Sequence, residues 1–193
     1  LAFHTAAQAA DFDLPAAPQL MANGFDFSQY QFEATPQKLL GWAGRIAPEK
    51  GLEDAAQVAQ QWGWPLAVWG LKEDHAYAEA VEASVPEGTL QWRGFLNTAQ
   101  FQAELGHCAV LLNTPKWNEA FGNVVVEAMA CGVPVLAYRR GGPAELIDPG
   151  ISGALVEPDC IKALVEWLPQ VLALDRQACR AKAKERFSLE AFA

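Results

Sequence analysis

The chain has 193 residues, 51% of them hydrophobic and 19% charged, the make-up of a globular domain able to bury a core. Its 14 Lys and Arg against 23 Asp and Glu leave a net charge of −9, which argues against a nucleic-acid or anionic-membrane surface but leaves room for a small basic pocket. No run of about 18 apolar residues occurs, so no transmembrane segment is expected. No signal peptide is visible, and Cys108, Cys131, Cys160 and Cys179 lack C-x-x-C or Cys/His spacing, so reduced thiols, a cytoplasmic setting and no metal are expected.

Residues 1–36 are rich in Ala, Pro and Gln, with a short helical piece expected near 5–10 and a turn at Asn23-Gly24. Strand and helix patterns then alternate. "KLLGWAG" (38–44) reads as a strand, and "GLEDAAQVAQQW" (51–62) as a helix with Leu52, Ala55, Ala56 and Ala59 on one face. "PLAVWG" (65–70) is a strand, 73–84 a helix, and "TLQWRG" (89–94) a strand. Helix 98–105 opens at Thr98, a residue suited to an N-cap. "CAVLLN" (108–113) is a strand, followed by helix 121–131, strand 133–138, a short helix over 142–148 and strand 153–158. Helices near 160–173 and 175–187 close the chain. Six apolar strands joined by helices predict an α/β fold, a Rossmann-like doubly wound parallel sheet. Ligands of such sheets sit beyond the strand C-terminal ends, so the loops after strands are the places to look for chemistry.

Neither G-x-G-x-x-G nor G-x-x-x-x-G-K-[ST] is present. After the first strand stands "GRIAPEKG", where Gly44 permits a tight turn and Arg45 and Lys50 place two cations ahead of a helix N-terminus. That suits a pyrophosphate, or else a solvated loop in which Arg45 pairs locally. After the fourth strand, "TPKWNEAFGN" leads into a helix. Phe121, Gly122 and Asn123 offer free amides at its first turn, and Glu119 and Glu127, with seven residues between them, frame it. Glu127 shares a helix face with Asn123 and Val124. An anion on the amides, flanked by hydroxyls on the two carboxylates, fits a nucleotide sugar. The dipole alone also favours acids there, by about 0.3–1 kcal/mol each. Gly141-Gly142-Pro143 forms a third tight loop. His4, His75 and His107 read as structural or surface residues, the tryptophans as core, and Trp117 lies in the candidate site loop.

"GRIAPEKG", "EAFGNVVVEAMACGVPVLA" and "GGPAELIDPGISGALVEP" occur in that order, preceded by "LMANGFD" and followed by "RFSLEAF". Together these resemble the retaining group-1 (family-four) glycosyltransferases of the GT-B fold, over residues from about 20 to the end. The resemblance implies a C-terminal lobe, residues 21–193, that holds a nucleotide-diphosphate sugar, with 1–20 an interlobe or irregular segment. It implies that Arg45 and Lys50 contact the diphosphate and that Glu119 is catalytic, binding hydroxyls of the transferred sugar. The Phe121-Gly122-Asn123 backbone would support sugar and phosphate. Glu127 would hold the ribose, and Phe95 and Leu96 would lie against the base. No metal or other cofactor is implied. The chain begins on Leu1 with almost nothing ahead of the second-lobe motifs, so an isolated lobe lacking its N-terminal acceptor lobe, inactive alone, is expected. The alternatives are a stand-alone non-catalytic nucleotide-sugar-binding module or a lobe of a GT-B epimerase.

Overall fold

The computed structural model describes residues 2–14 and 16–192. Near the start, strand β1 (Ala2–Phe3), helix α1 (Ala6–Ala10) and strand β2 (Gln19–Leu20) form a small parallel pair. Thr5 caps α1, its side chain accepting from the Gln8 amide. A single 3-10 turn follows at Phe27–Gln29, capped by Asp26.

The body is one parallel sheet with helices on both faces. Its elements are β3 (Leu40–Ala43), α2 (Leu52–Trp62), β4 (Leu66–Trp69), α3 (His75–Ala83), β5 (Leu90–Gly94), α4 (Thr98–Leu105), β6 (Val110–Asn113) and α5 (Asn123–Ala130). There follow β7 (Val135–Tyr138), α6 (Pro143–Leu146), β8 (Gly153–Val156), α7 (Ile161–Leu172) and α8 (Arg176–Phe187). The strands lie in the order β5-β4-β3-β6-β7-β8, all pairs parallel. Every expected strand and helix of this body is present within a few residues. The chain runs outward from β3 to one edge, then returns to start again at β6. The switch point is therefore between β3 and β6, where a crevice opens beyond the strand ends.

Strand alternation sends residues to opposite faces. Leu40, Trp42, Val110, Leu112, Leu136 and Tyr138 pack under α2, α3 and α7. Leu111, Val135, Ala137 and Leu155 pack under α4, α5 and α8. Both faces of the central strands are thus covered, which is why they read as unbroken apolar runs rather than alternating ones. The start of the chain is tied to this body through Phe25, whose amide donates to the Phe187 carbonyl at 2.8 Å and whose carbonyl accepts from Leu189. Arg176, at the start of α8, is buried and donates to the carbonyls of Glu33, Cys108 and Gly106, joining the segment before β3 and the α4–β6 connection at the end of the sheet away from the crevice. Among the described residues no helix is long and apolar enough to cross a membrane.

Candidate functional site

A cavity of about 410 Å3 lies at the switch point. Arg45, Lys50, Leu96, Glu119, Gly122, Asn123 and Glu127 all line it, although they come from three separate strand-to-helix connections. Phe121, expected at the site through its backbone alone, does not line the cavity with its side chain. Its ring is buried, stacked against Phe25 with centroids 6.4 Å apart and edge-on to Phe187, so only its backbone lies beside the site. An aromatic residue beside a glycine at a helix start serves the core here, which spacing in the sequence does not distinguish from a ligand contact.

The first connection, residues 44–51, separates its two cations. Arg45 is 51% exposed on its side chain and pairs with Glu73 and, at 2.9 Å, with Glu49. The local pairing considered from sequence is therefore present, while the residue also borders the cavity mouth. Lys50 ends a 3-10 turn, Pro48–Lys50, and its side chain is only 14% exposed. Its Nζ donates to Glu119 Oε2 at 2.5 Å and lies 4.8 Å from the Trp117 ring centroid. The chain bends at Gly44, directly after β3, without a positive φ. A Cβ there would stand 3.3 Å from the Trp42 ring and 3.8 Å from Lys50 Cγ, so its absence leaves space at the cavity wall.

The second connection runs from Asn113 to the start of α5. The helix begins two residues later than expected, because Gly122 takes φ 94 and ψ 62, outside the helical region, and becomes the N-cap. The first intrahelical bond joins the Val125 amide to the Gly122 carbonyl at 2.9 Å, so the Asn123 and Val124 amides precede it at the helix start. Asn123 Oδ1 also accepts from Asn23 Nδ2 at 2.8 Å, which ties the "ANGFD" segment to the site. One helical turn on, Glu127 faces the same cavity and accepts from the Tyr30 hydroxyl at 3.4 Å. Burial raises its carboxyl above the ordinary carboxylate range, and the Tyr30 hydrogen bond offsets part of that shift.

This loop is fastened at several points. The Thr114 hydroxyl donates to the Gly51 carbonyl at 2.7 Å, and the Lys116 amide donates to the Glu49 carbonyl at 2.9 Å. The Lys116 side chain reaches buried Asp54, which also accepts from the Tyr138 hydroxyl at 2.5 Å. Arg140 donates to the Pro115 carbonyl at 2.8 Å.

The third connection, with Gly141 and Gly142, borders the second rather than the cavity. The Gly142 amide donates to the Glu119 carbonyl at 2.6 Å. A Cβ at Gly141 would stand 2.5 Å from the Glu119 nitrogen, and one at Gly142 2.4 Å from the Phe121 oxygen. The glycine pair is thus explained by close backbone packing that holds Glu119 in place.

The rest of the lining was not singled out from sequence. Trp42, Trp69, Leu71 and Phe101 form an apolar wall with Phe95 and Leu96. Their side chains belong to strand ends or helix faces that only strand order brings together. Asn113 closes β6 and forms part of the cavity floor; a polar residue ending an apolar strand at a switch point was the available signal.

Comparison with known proteins bears on this arrangement. Human alpha-1,3/1,6-mannosyltransferase ALG2 is 43% identical over 93 residues, covering 46% of this chain and 22% of that protein. A GDP-mannose-dependent alpha-mannosyltransferase of Mycolicibacterium smegmatis is 35% identical over 121 residues, covering 63% of this chain and 31% of the relative. Among solved structures, Anabaena Alr3699/HepE in complex with UDP and glucose superposes with a TM-score of 0.84 at 22% identity, over 98% of this chain and 59% of that one. AviGT4, a glycosyltransferase involved in avilamycin A biosynthesis, superposes with a TM-score of 0.85 at 20% identity, over 97% of this chain and 58% of that one. These likenesses place the fold as a Rossmann-like GT-B lobe. The chain spans less than two thirds of the length of each of these proteins, and under a third of the two mannosyltransferases. The family model described as "Glycosyl transferases group 1" matches residues 26–186, and the chain belongs to that family.

Proposed function

We propose that the chain is the donor-binding lobe of a retaining glycosyltransferase, holding a nucleotide-diphosphate sugar and presenting a hexose for transfer. The observation that carries this reading is the convergence of Lys50, Glu119, Glu127 and the start of α5 on one cavity at the switch point. In this reading Lys50, with Arg45 at the mouth, opposes the diphosphate, and the amides that open α5 add a second source of positive potential. Glu119 exchanges its contact with Lys50 for hydroxyls of the transferred sugar. Glu127 accepts from the ribose hydroxyls, and the apolar wall at Phe95 and Leu96 borders the base.

Transfer breaks the bond between the anomeric carbon and the diphosphate oxygen while a bond to the acceptor hydroxyl oxygen forms on the same face of the sugar, the hydroxyl proton passing to the departing diphosphate. Negative charge grows on the leaving diphosphate. A fixed ammonium and fixed amides at that place lower the barrier without a metal, because they need little reorganisation as the charge develops. The acceptor comes from a second lobe, and this lobe alone binds the donor without turning it over. Residues 1–20 form the interlobe segment in this arrangement.

The test is thermal unfolding with UDP, GDP or ADP at millimolar concentration. A diphosphate present at about one hundred times its Kd adds about 2.7 kcal/mol of stability, which reads as a clear rise in Tm. No rise with any of the three would count against the site.

A further inference from the structure

Two carboxamide side chains are buried among the described residues, and only one of them is paired. Gln102 is 5% exposed, and its side chain donates to the Ala99 carbonyl at 3.1 Å and accepts from the Gln31 amide at 2.9 Å. Asn113 is 8% exposed, and among the described residues its Oδ1 is buried without a hydrogen-bond partner. Its neighbour Thr114 is fully buried and uses its hydroxyl on the Gly51 carbonyl. The orphan atom therefore stands in a stretch whose other buried side chain is satisfied. Buried polar atoms are normally paired, because the water they give up is costly to lose, and an unpaired one calls for an explanation.

The position supplies one. Asn113 is the last residue of β6, in register with Ala137 of β7, and it forms part of the floor of the cavity that Lys50, Glu119 and Gly122 also line. Resting on the donor-binding reading above, we propose that Asn113 is a specificity-determining residue whose Oδ1 accepts a hydrogen bond from a hydroxyl of the transferred sugar.

The chemistry of the cavity narrows the partner. An esterified diphosphate at neutral pH carries acceptor oxygens and no proton to give, so it cannot satisfy an unpaired carboxamide oxygen. A sugar hydroxyl can. A carboxylate in the same place would also accept a hydroxyl, but it would add a third acid to a cavity that already holds Glu119 and Glu127 and would repel the diphosphate. A neutral acceptor avoids that repulsion. A site built to pair a substrate hydroxyl also discriminates against donors that lack it, since the protein atom is then left buried and unpaired.

The experiment is isothermal calorimetry on this chain with UDP-glucose, GDP-mannose and ADP-glucose, each beside its free diphosphate. For the sugar nucleotide that binds best, Asn113→Ala is expected to weaken affinity by about 10-fold or more, and to change affinity for the free diphosphate less than about twofold. Asn113→Asp is expected to weaken both, through charge. Equal loss of both ligands in Asn113→Ala would overturn the inference and assign the side chain, turned so that its NH2 faces the site, to the phosphates. Unchanged affinity for both would overturn it as well, leaving Asn113 a hydrated floor residue.

Should either variant lose its unfolding transition, monodeoxy donors on the unaltered chain decide the matter. One ring position is expected to lose about tenfold when its hydroxyl is removed, and no loss at any position overturns the inference. A chain that binds none of the nucleotides removes the donor-binding reading and this inference with it. A chain that binds them with Asn113→Ala unaffected removes this inference alone.

Discussion

The connections after β3 and β6 meet at the same crevice and hold their charges in opposite ways. Arg45, in the first, lies open to solvent between two exposed carboxylates, an arrangement that contributes little to stability. The second is fastened to the body at Thr114, Lys116 and Pro115, and its Glu119 is held by Lys50 within the cleft. The mouth of the site can therefore rearrange around a ligand, while at the floor only the Lys50–Glu119 contact is exchanged and the fastenings at Thr114, Lys116 and Pro115 stay in place. Binding gains most from groups that are already in place, since less freedom is then lost on association.

The sharpest way to break this contrast is Asp54→Ala. It leaves the Lys116 ammonium and the Tyr138 hydroxyl without their shared acceptor, and stability should fall by about 3 kcal/mol in urea unfolding. An unchanged midpoint would mean that the second loop is not held there. Next comes Lys50→Ala, which should cost about 2–3 kcal/mol of diphosphate affinity by calorimetry, because a charge-assisted contact is lost inside the cleft. Nucleoside without phosphate should bind the variant as it binds the parent; an equal loss would deny Lys50 a phosphate role.

Glu127→Ala should weaken a nucleoside diphosphate by about 1–3 kcal/mol through the ribose hydroxyls. Equal affinity of parent and variant would remove the ribose assignment. Arg45→Ala should matter least among the binding residues, by about 1 kcal/mol or less, and that loss should shrink further as salt is raised. A loss as large as that of Lys50→Ala would end the distinction between mouth and floor.

The smallest effect is on pH dependence. Glu127 has a native value raised above the ordinary 4.5 by burial. The folded chain therefore holds this proton more tightly than the unfolded chain does. Stability from this group falls as pH rises from 4.5 through the raised native value, and levels off above it. Glu127→Gln removes that slope, so its Tm relative to the parent should be higher at pH 7 than at pH 4. Parallel Tm curves for the two proteins would argue that the carboxylate is well solvated.

Much of this was legible in the residues. Apolar runs such as "AVLLN" and the helical spacing of Leu52, Ala55, Ala56 and Ala59 report local periodicity, which depends only on neighbours in the chain. The site loops were legible for the same reason, since they follow strand ends. Phe121 was legible only in part: its backbone belongs to the site loop, as expected, but that its ring completes a cluster with Phe25 and Phe187, residues distant in sequence, could not be read from its neighbours. The glycine pair at 141–142 signalled a tight loop without revealing that the backbone it meets is that of Glu119 and Phe121.

The sequence by itself determined which stretches become strand or helix and which loops carry charge, because those follow from spacing and from the short-range chemistry of turns and helix starts. Only the tertiary structure decided that β3 and β6 are neighbours, and hence that Lys50 meets Glu119 across 69 residues of chain. It also left the oxygen of Asn113, a residue lining the cavity, buried without a partner among the described residues. Strand order and side-chain partnering are settled by burial summed over the whole molecule, and no local stretch contains that sum.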